Sequence, residues 1–139
     1  MFEHLQKKEV SGSATCWLEI PDLSPDARIE VKFAGESNRA YYNEVLRRAG
    51  SRARQLATRE VTVKDVVKLR DDDRELFGKF ILVNWDGVED ADGNPVPFTR
   101  EYAMEFCEKV PYHIFDKIRN WAGQPERFLQ DDESPDVEA

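Results

Sequence analysis

The sequence predicts an α+β fold, in which an N-terminal antiparallel β-hairpin packs on a mostly α-helical domain of about four helices. Within residues 14–34, apolar and polar residues alternate in two short runs on either side of a proline-rich turn, as in a hairpin. Within residues 36–129, apolar residues recur three and four positions apart, as on one face of a helix. A chain of 139 residues suits one modest core, so we expect a single domain over residues 14–129.

The hairpin is predicted from two runs with a period of two, Ala14–Ile20 and Arg28–Phe33. The residues expected to share the inner face are Cys16, Leu18, Ile20, Ile29, Val31 and Phe33. Because an isolated hairpin is marginal in water, this face needs a cover. We expect the cover to be the next helix, which opens at Gly35-Glu36-Ser37 and presents Tyr42, Val45, Leu46 and Ala49.

The region after that helix leaves two choices open. Gly50 is expected to weaken or end the first helix, and the basic stretch that follows is either a mobile connection or a helix that folds with a partner. A second helical region begins at Thr62, which forms a predicted capping box with Asp65. Its apolar stripe, Val63, Val66, Val67, Phe77, Phe80 and Ile81, is interrupted by Arg70-Asp71-Asp72-Asp73-Arg74. Residues 62–85 therefore form one long helix or two short ones, and we favour one.

The C-terminal helices have clear local signals. Thr99 is a predicted N-cap, Pro111 suits the start of a following helix, and Gly123 marks its end. The predicted apolar faces are Tyr102, Ala103, Phe106 and Val110 in one helix, and Ile114, Phe115, Ile118 and Trp121 in the other.

The stretch 80–98, FILVNWDGVEDADGNPVPF, reads as a helix end, a turn and a helix restart. Gly87 is expected to have a positive φ, Gly93 lies in a turn signal, and Pro95 and Pro97 remove two backbone donors and stiffen the return. Between these turn residues, we expect Trp85, Val88, Val96 and Phe98 to close on one another as a small core.

This stretch resembles the tail assembly chaperone family of long-tailed (siphovirus-type) bacteriophages. The shared order is Trp85, an acid, Gly87 and Val88, then Asp92-Gly93-Asn94-Pro95, then Pro97-Phe98-Thr99 opening a helix. The similarity covers residues 81–121, with weaker similarity over residues 28–48.

The resemblance implies a function and a set of partners. Such a protein binds the tape measure protein, keeps it soluble, recruits tail tube protein subunits and self-associates. It works in the host bacterial cytoplasm and is absent from the mature virion. Family members are often also made in a longer form by a programmed frameshift, which a protein sequence cannot show.

Composition excludes several other classes. A net charge of −8, with 35% charged residues, argues against nucleic-acid binding, which needs a basic surface. No apolar run approaches the length of a membrane span, and residues 1–13 lack the apolar centre of a secretory signal. We expect residues 1–13 to be flexible and the acidic tail, residues 130–139, to be disordered. Cys16 and Cys107 are expected to be reduced core residues.

No motif predicts catalysis, a metal or a cofactor. The acidic run Glu89-Asp90-Ala91-Asp92-Gly93 is similar to part of a calcium loop, but Val88 and Thr99 stand where two ligands belong. His4 and His113 have no partner pattern for zinc or for a nucleophile. We therefore predict a protein that is not an enzyme.

The abundance of aromatic residues in the C-terminal half instead suggests binding of other proteins, since a domain of this size has difficulty burying them all. The candidate partner-binding residues are Trp85, Val96, Phe98, Tyr102, Phe106, Phe115 and Trp121. The alternative is that these side chains form one dense core. The alternative function is an acidic structural or regulatory module, either a minor virion protein or a DNA-mimic inhibitor.

Overall fold

A computed structural model describes residues 1–57 and 60–129, with the side chains of residues 6–8 left aside. The predicted α+β class is confirmed: a three-stranded antiparallel sheet packs against four α-helices. The strands are β1 (Thr15–Glu19), β2 (Arg28–Lys32) and β3 (Leu82–Asp86). The helices are α1 (Arg39–Leu56), α2 (Val63–Leu76), α3 (Arg100–Lys109) and α4 (Tyr112–Ala122). The acidic tail, residues 130–139, lies outside the described residues.

The predicted hairpin forms, and β3 adds a third strand that the sequence did not predict. The order is β1-β2-β3, and two rows of side chains cross the sheet on its buried face. One row is Cys16, Val31 and Leu82, and the other is Leu18, Ile29 and Trp85. Leu82 and Trp85 are three residues apart, so a regular strand would turn them to opposite faces. A register shift between Glu30 and Val31 places both on the core side.

The expected single helix forms through residues 70–74 without a break, but the expectation that it reaches residue 85 is wrong. Helix α2 ends at Leu76, a π-helical turn covers Phe77–Ile81, and the chain then extends into β3. Gly78 allows α3 to approach the π-helical turn closely. A Cβ at this position would lie 2.8 Å from the Cα of Met104, so a larger residue would push α3 away. Arg100 stabilises the break, since its Nη1 donates to the carbonyl oxygens of Gly78 and Leu82, both at 2.7 Å.

Helix α1 does not cover the hairpin, contrary to expectation. It begins one residue after Asn38, which caps it, and continues through Gly50 to Leu56 without a single buried residue. Its main contact with the core is Tyr41, whose ring meets that of Phe77 edge-on at 5.9 Å. The cover of the sheet comes instead from the π-helical turn, α3 and α4, whose core residues are Phe77, Ile81, Ala103, Cys107, Ile114, Phe115 and Ile118.

The remaining helix ends follow their sequence signals. Thr62 and Asp65 form the predicted capping box, and the side chain of Thr99 accepts a hydrogen bond from the backbone N–H of Tyr102 at 3.0 Å. Helix α4 starts after Pro111 and ends at Gly123, as predicted.

The N-terminal segment is partly built into the structure. A 3-10 helix covers Glu3–Lys8, and Val10 is 5% exposed within the core. The flexibility of residues 1–13 stays a prediction, but their last part contributes to packing.

Candidate partner-binding groove

The loop between β3 and α3 is fixed at Gly87 to the turn between β1 and β2, which lies at the same end of the sheet. Gly87 has a φ of +72°, and its carbonyl oxygen accepts a hydrogen bond from Ser24 Oγ at 2.6 Å. A Cβ at this position would lie 2.4 Å from the carbonyl oxygen of Asp26. The positive φ was predicted, but it ends a strand here and not a helix. Gly87 therefore sets the loop against the turn between β1 and β2.

The acidic turn that follows is organised by Asp90. Its Oδ1 accepts hydrogen bonds from the backbone N–H groups of Asp92 at 2.9 Å and Asn94 at 3.0 Å, while Gly93 N–H donates to its carbonyl at 3.0 Å. Gly93 has a φ of +81°, which closes the turn. These bonds shape the loop from within, since Asp90 uses its carboxylate to bind the backbone of the turn.

Trp85 holds the returning strand of the loop. Its indole N–H donates to the carbonyl of Val96 at 2.8 Å, and Val96 N–H donates to the carbonyl of Val88 at 2.9 Å. The Trp85 ring meets Phe98 edge-on at 5.0 Å and Phe106 at 5.6 Å. The small core predicted around Trp85 therefore forms, and Trp85 itself is only 7% exposed.

An open groove of about 550 Å³ lies between this loop and α3. Four of the seven candidate partner-binding residues line it: Trp85 and Val96 on the loop side, and Tyr102 and Phe106 on the α3 side. Tyr102 is the most accessible of them, at 44% exposed. Of the predicted turn residues, Pro95 and Pro97 also line the groove.

The other three candidates lie elsewhere. Phe98 packs behind Trp85, with the guanidinium of Arg100 5.4 Å from its ring centre. Phe115 is 1% exposed in the core and meets Phe77 edge-on at 5.4 Å. Trp121 donates its indole N–H to Cys16 Sγ at 3.1 Å, and Arg127 stacks 3.9 Å from its ring centre. These three positions are explained by packing within the chain.

Sequence reasoning missed part of the groove. The missed lining residues are Leu23, Val110, Pro111, Glu89, Asp90, Glu105 and Lys109. For Glu105 a signal existed, because it follows Tyr102 by three positions on the same helix and therefore shares its side. For Leu23 there was none, because it reaches the groove only through the pairing of distant strands.

A set of carboxylates continues from the groove across α2 and α3. We call it the acidic belt: Asp71, Glu75, Glu101, Glu105 and Glu108. Arg74 lies among them but is engaged with the backbone, since its Nη1 donates to the carbonyls of Cys107, Glu108 and Val110 at 2.7–3.1 Å. These bonds satisfy the C-terminal end of α3. Arg74 keeps its positive charge, Glu75 pairs with Arg48 at 3.0 Å, and Glu105 pairs with Lys109, which also lines the groove, at 3.2 Å. The surface beside the groove therefore has a net negative charge that these cations partly offset.

The two cysteines, Cys16 and Cys107, are free thiols buried in the core. Burial raises the pKa of Cys107 to about 12, and burial also raises the pKa of Cys16 despite the hydrogen bond from Trp121. Both are therefore protonated near neutral pH and poor nucleophiles. Over residues 1–57 and 60–129, no three His, Cys, Asp or Glu side chains are placed to hold a metal ion. The groove therefore provides apolar side chains and a few charged ones for contact with a partner.

Within the described part of the chain, no helix has the length and hydropathy needed to cross a bilayer.

Comparison with protein families matches residues 37–138 to the family described as YdaY prophage protein. The chain belongs to this family. The match begins just before α1 and includes α2, β3, α3 and α4, and with them every groove-lining residue except Leu23. Searches among curated proteins and among solved structures gave no match. Membership of this family indicates that the protein derives from a phage.

Proposed function

We propose that this member of the YdaY prophage protein family is a phage tail assembly chaperone. It binds an apolar helical segment of the tape measure protein in the groove, keeps that protein soluble, and helps to recruit tail tube subunits. The observation that carries the proposal is the apolar groove with Glu89, Asp90 and Glu105 at its rim. The sequence resemblance to tail assembly chaperones makes the tape measure protein the expected partner.

The shape and charge of the groove fit one face of a helix. A volume of about 550 Å³ accommodates a few apolar side chains spaced three and four residues apart. Tyr102 and Phe106 supply aromatic surface of the kind enriched at binding hot spots. The acidic rim and belt favour a segment with Lys or Arg beside its apolar face, since opposite charges raise association rates and orient the partner.

Coexpression with the tape measure protein of the same prophage tests this proposal. We expect the tape measure protein to stay in the soluble fraction and to purify with the wild-type chain. Tyr102→Gln, which removes an exposed ring from the groove, should weaken binding about tenfold. Tyr112→Gln is the matched control, because Tyr112 is 38% exposed but lies outside the groove, against Arg70. Equal solubility of the tape measure protein with and without the chain would refute the proposal.

The expected location is the host cytoplasm during assembly, with the protein absent from finished particles. Mass spectrometry of purified virions, normalised to the tail tube protein, measures this. We expect no peptides from this chain above the level of other host-cell proteins. A stoichiometric signal would instead support the alternative that the protein is a minor virion component.

A further inference from the structure

Helices α1 and α2 form a basic projection that contributes little to the core. We call residues 47–70, the C-terminal part of α1 and the N-terminal part of α2, the arm. It has eight Lys and Arg residues against two acids, a net charge of +6, while the whole chain carries −8, which leaves −14 for the rest. Among its described residues only Asp65 is buried, at 8% exposed. Three cations of the arm, Arg47, Arg48 and Arg52, pair with acids just outside it, at Glu44, Asp72 and Glu75. The excess of positive charge in the arm therefore lies on its other Lys and Arg residues, Lys64 and Lys68 among them.

The arm exposes an aliphatic surface that we call the valine face: Val63, Val66 and Val67, which are 80%, 46% and 45% exposed. With about 100° of rotation per residue, Val63 and Val67 lie about 160° around the helix axis from the buried Asp65 and Val66 about 100° from it, so the three valines share an arc of about 100°. Lys64 and Lys68 border the valine face on one edge, beyond Val67, and form no ion pair with any described residue. An apolar stripe bordered by free ammonium groups is the complement of an acid-rimmed apolar groove.

The valine face does not occupy the groove of its own molecule, since its three valines are exposed and none of them lines the groove. Helix α2 is continuous from Val63 to Leu76, so the valine face cannot change its orientation independently of the rest of that helix. Ion pairs to Asp72 from Arg48 at 3.3 Å and Arg52 at 2.8 Å fix α2 against α1. The valine face is thus presented outward, where a second molecule can reach it.

We propose that the valine face of one copy docks in the groove of a second copy. Val63, Val66 and Val67 enter the space lined by Val96, Tyr102 and Phe106, while Lys64 and Lys68 meet Glu89 and Glu105 at the rim. The inference rests on the groove of the proposed function, and it adds a regulation: self-association and client binding compete for one site. In the absence of a client, the docked copy shields both apolar surfaces from water.

A charge-swap experiment on the full chain tests the docking by sedimentation velocity. We expect the wild type to associate reversibly, and more weakly as salt rises. Two variants, Lys64→Glu/Lys68→Glu and Glu89→Lys/Glu105→Lys, should each raise the dissociation constant about tenfold or more. An equimolar mixture should restore association, because each altered surface then meets its complement. Arg39→Glu/Lys79→Glu makes the same change in charge as the Lys64→Glu/Lys68→Glu variant at exposed positions outside both surfaces and should associate as the wild type does.

A second variant tests the apolar part of the contact. Val63→Gln/Val67→Gln keeps the charge of α2, does not lower its helix propensity because Gln is a better helix former than Val, and should also weaken association about tenfold, without loss of helical signal in the circular dichroism spectrum. A monomeric wild type, no recovery in the charge-swapped mixture, or wild-type association of the glutamine variant would each overturn the docking. The sedimentation experiment contains no tape measure protein, so its result is independent of the coexpression test. A chain that is monomeric but still keeps the tape measure protein soluble would refute this inference alone. An associating chain without effect on the tape measure protein would refute only the proposed function.

Discussion

Two glycines give the loop between β3 and α3 its left-handed turns, but their surroundings differ. Gly87, with φ of +72°, has backbone atoms of Asp26 within 2.4 Å of where a Cβ would lie, whereas Gly93, with φ of +81°, has nothing within 4 Å. Gly93→Ala therefore adds only the strain of the left-handed conformation, about 1 kcal/mol. Gly87→Ala adds a collision with backbone and should cost about 2–4 kcal/mol. Urea denaturation of both variants measures the difference.

Gly93→Ala is the control for Gly87→Ala, since both variants make the same chemical change at a positive φ in the same loop. Equal losses of stability would show that the loop can move away from the β1–β2 turn at no cost. The groove would then lack a rigid loop wall, because Gly87 is the point at which its carbonyl joins Ser24 on that turn.

At the scale of elements, the sequence correctly predicted the strands, helix caps and helix faces that are specified by residues close together in the chain. The alternation in β1 and β2, the caps at Thr62 and Thr99, and the apolar face of α4 each depend on a few neighbouring residues, and all were confirmed. The loop from Gly87 to Pro97 was also predicted correctly as a turn with a small core, since Gly, Asp and Pro specify turns by their own backbone preferences.

Strand β3 was missed because the apolar run at residues 80–83 fits a buried helix and a buried strand equally well. Its strand conformation depends on pairing with β2, on the approach of α3 at Gly78, and on hydrogen bonds from Arg100. All three come from residues distant in sequence. A local pattern cannot contain that information.

The same reason explains the errors about α1 and α2. Their apolar residues have helical spacing, and the helices formed, but spacing does not say whether a partner surface is present within the chain. Leu46 is 54% exposed and Val63 80% exposed, because the sheet is already covered by α3 and α4. The basic stretch after Gly50 was visible in the sequence, but not that it continues α1 as a helix without buried residues. The groove could not be predicted from the sequence, because its lining combines Leu23 and Val110, which are far apart in the chain and meet only in the folded structure.

At the scale of the whole molecule, one core joins the sheet to the helices, and Phe115 lies at its centre. Its ring meets Phe77 at 5.4 Å, and the guanidinium of Arg74 lies 5.1 Å from it. Phe115→Ala removes a fully buried aromatic ring and should cost about 3–5 kcal/mol, a large part of the stability of a domain. We expect the melting temperature to fall by roughly 10–20 °C, measured by far-UV circular dichroism.

The same variant tests whether sheet and helices unfold as one unit. The three tryptophans report on different elements, Trp17 on β1, Trp85 on β3 and Trp121 on α4, while circular dichroism reports mainly on the helices. Because Phe115 contacts the π-helical turn that leads directly into β3, fluorescence and circular dichroism should shift together. Tyr102→Gln, in the groove, should leave both transitions near their wild-type temperatures. A fluorescence transition that stays in place while the helices melt early would mean that the sheet is stable without α4, contrary to the shared core.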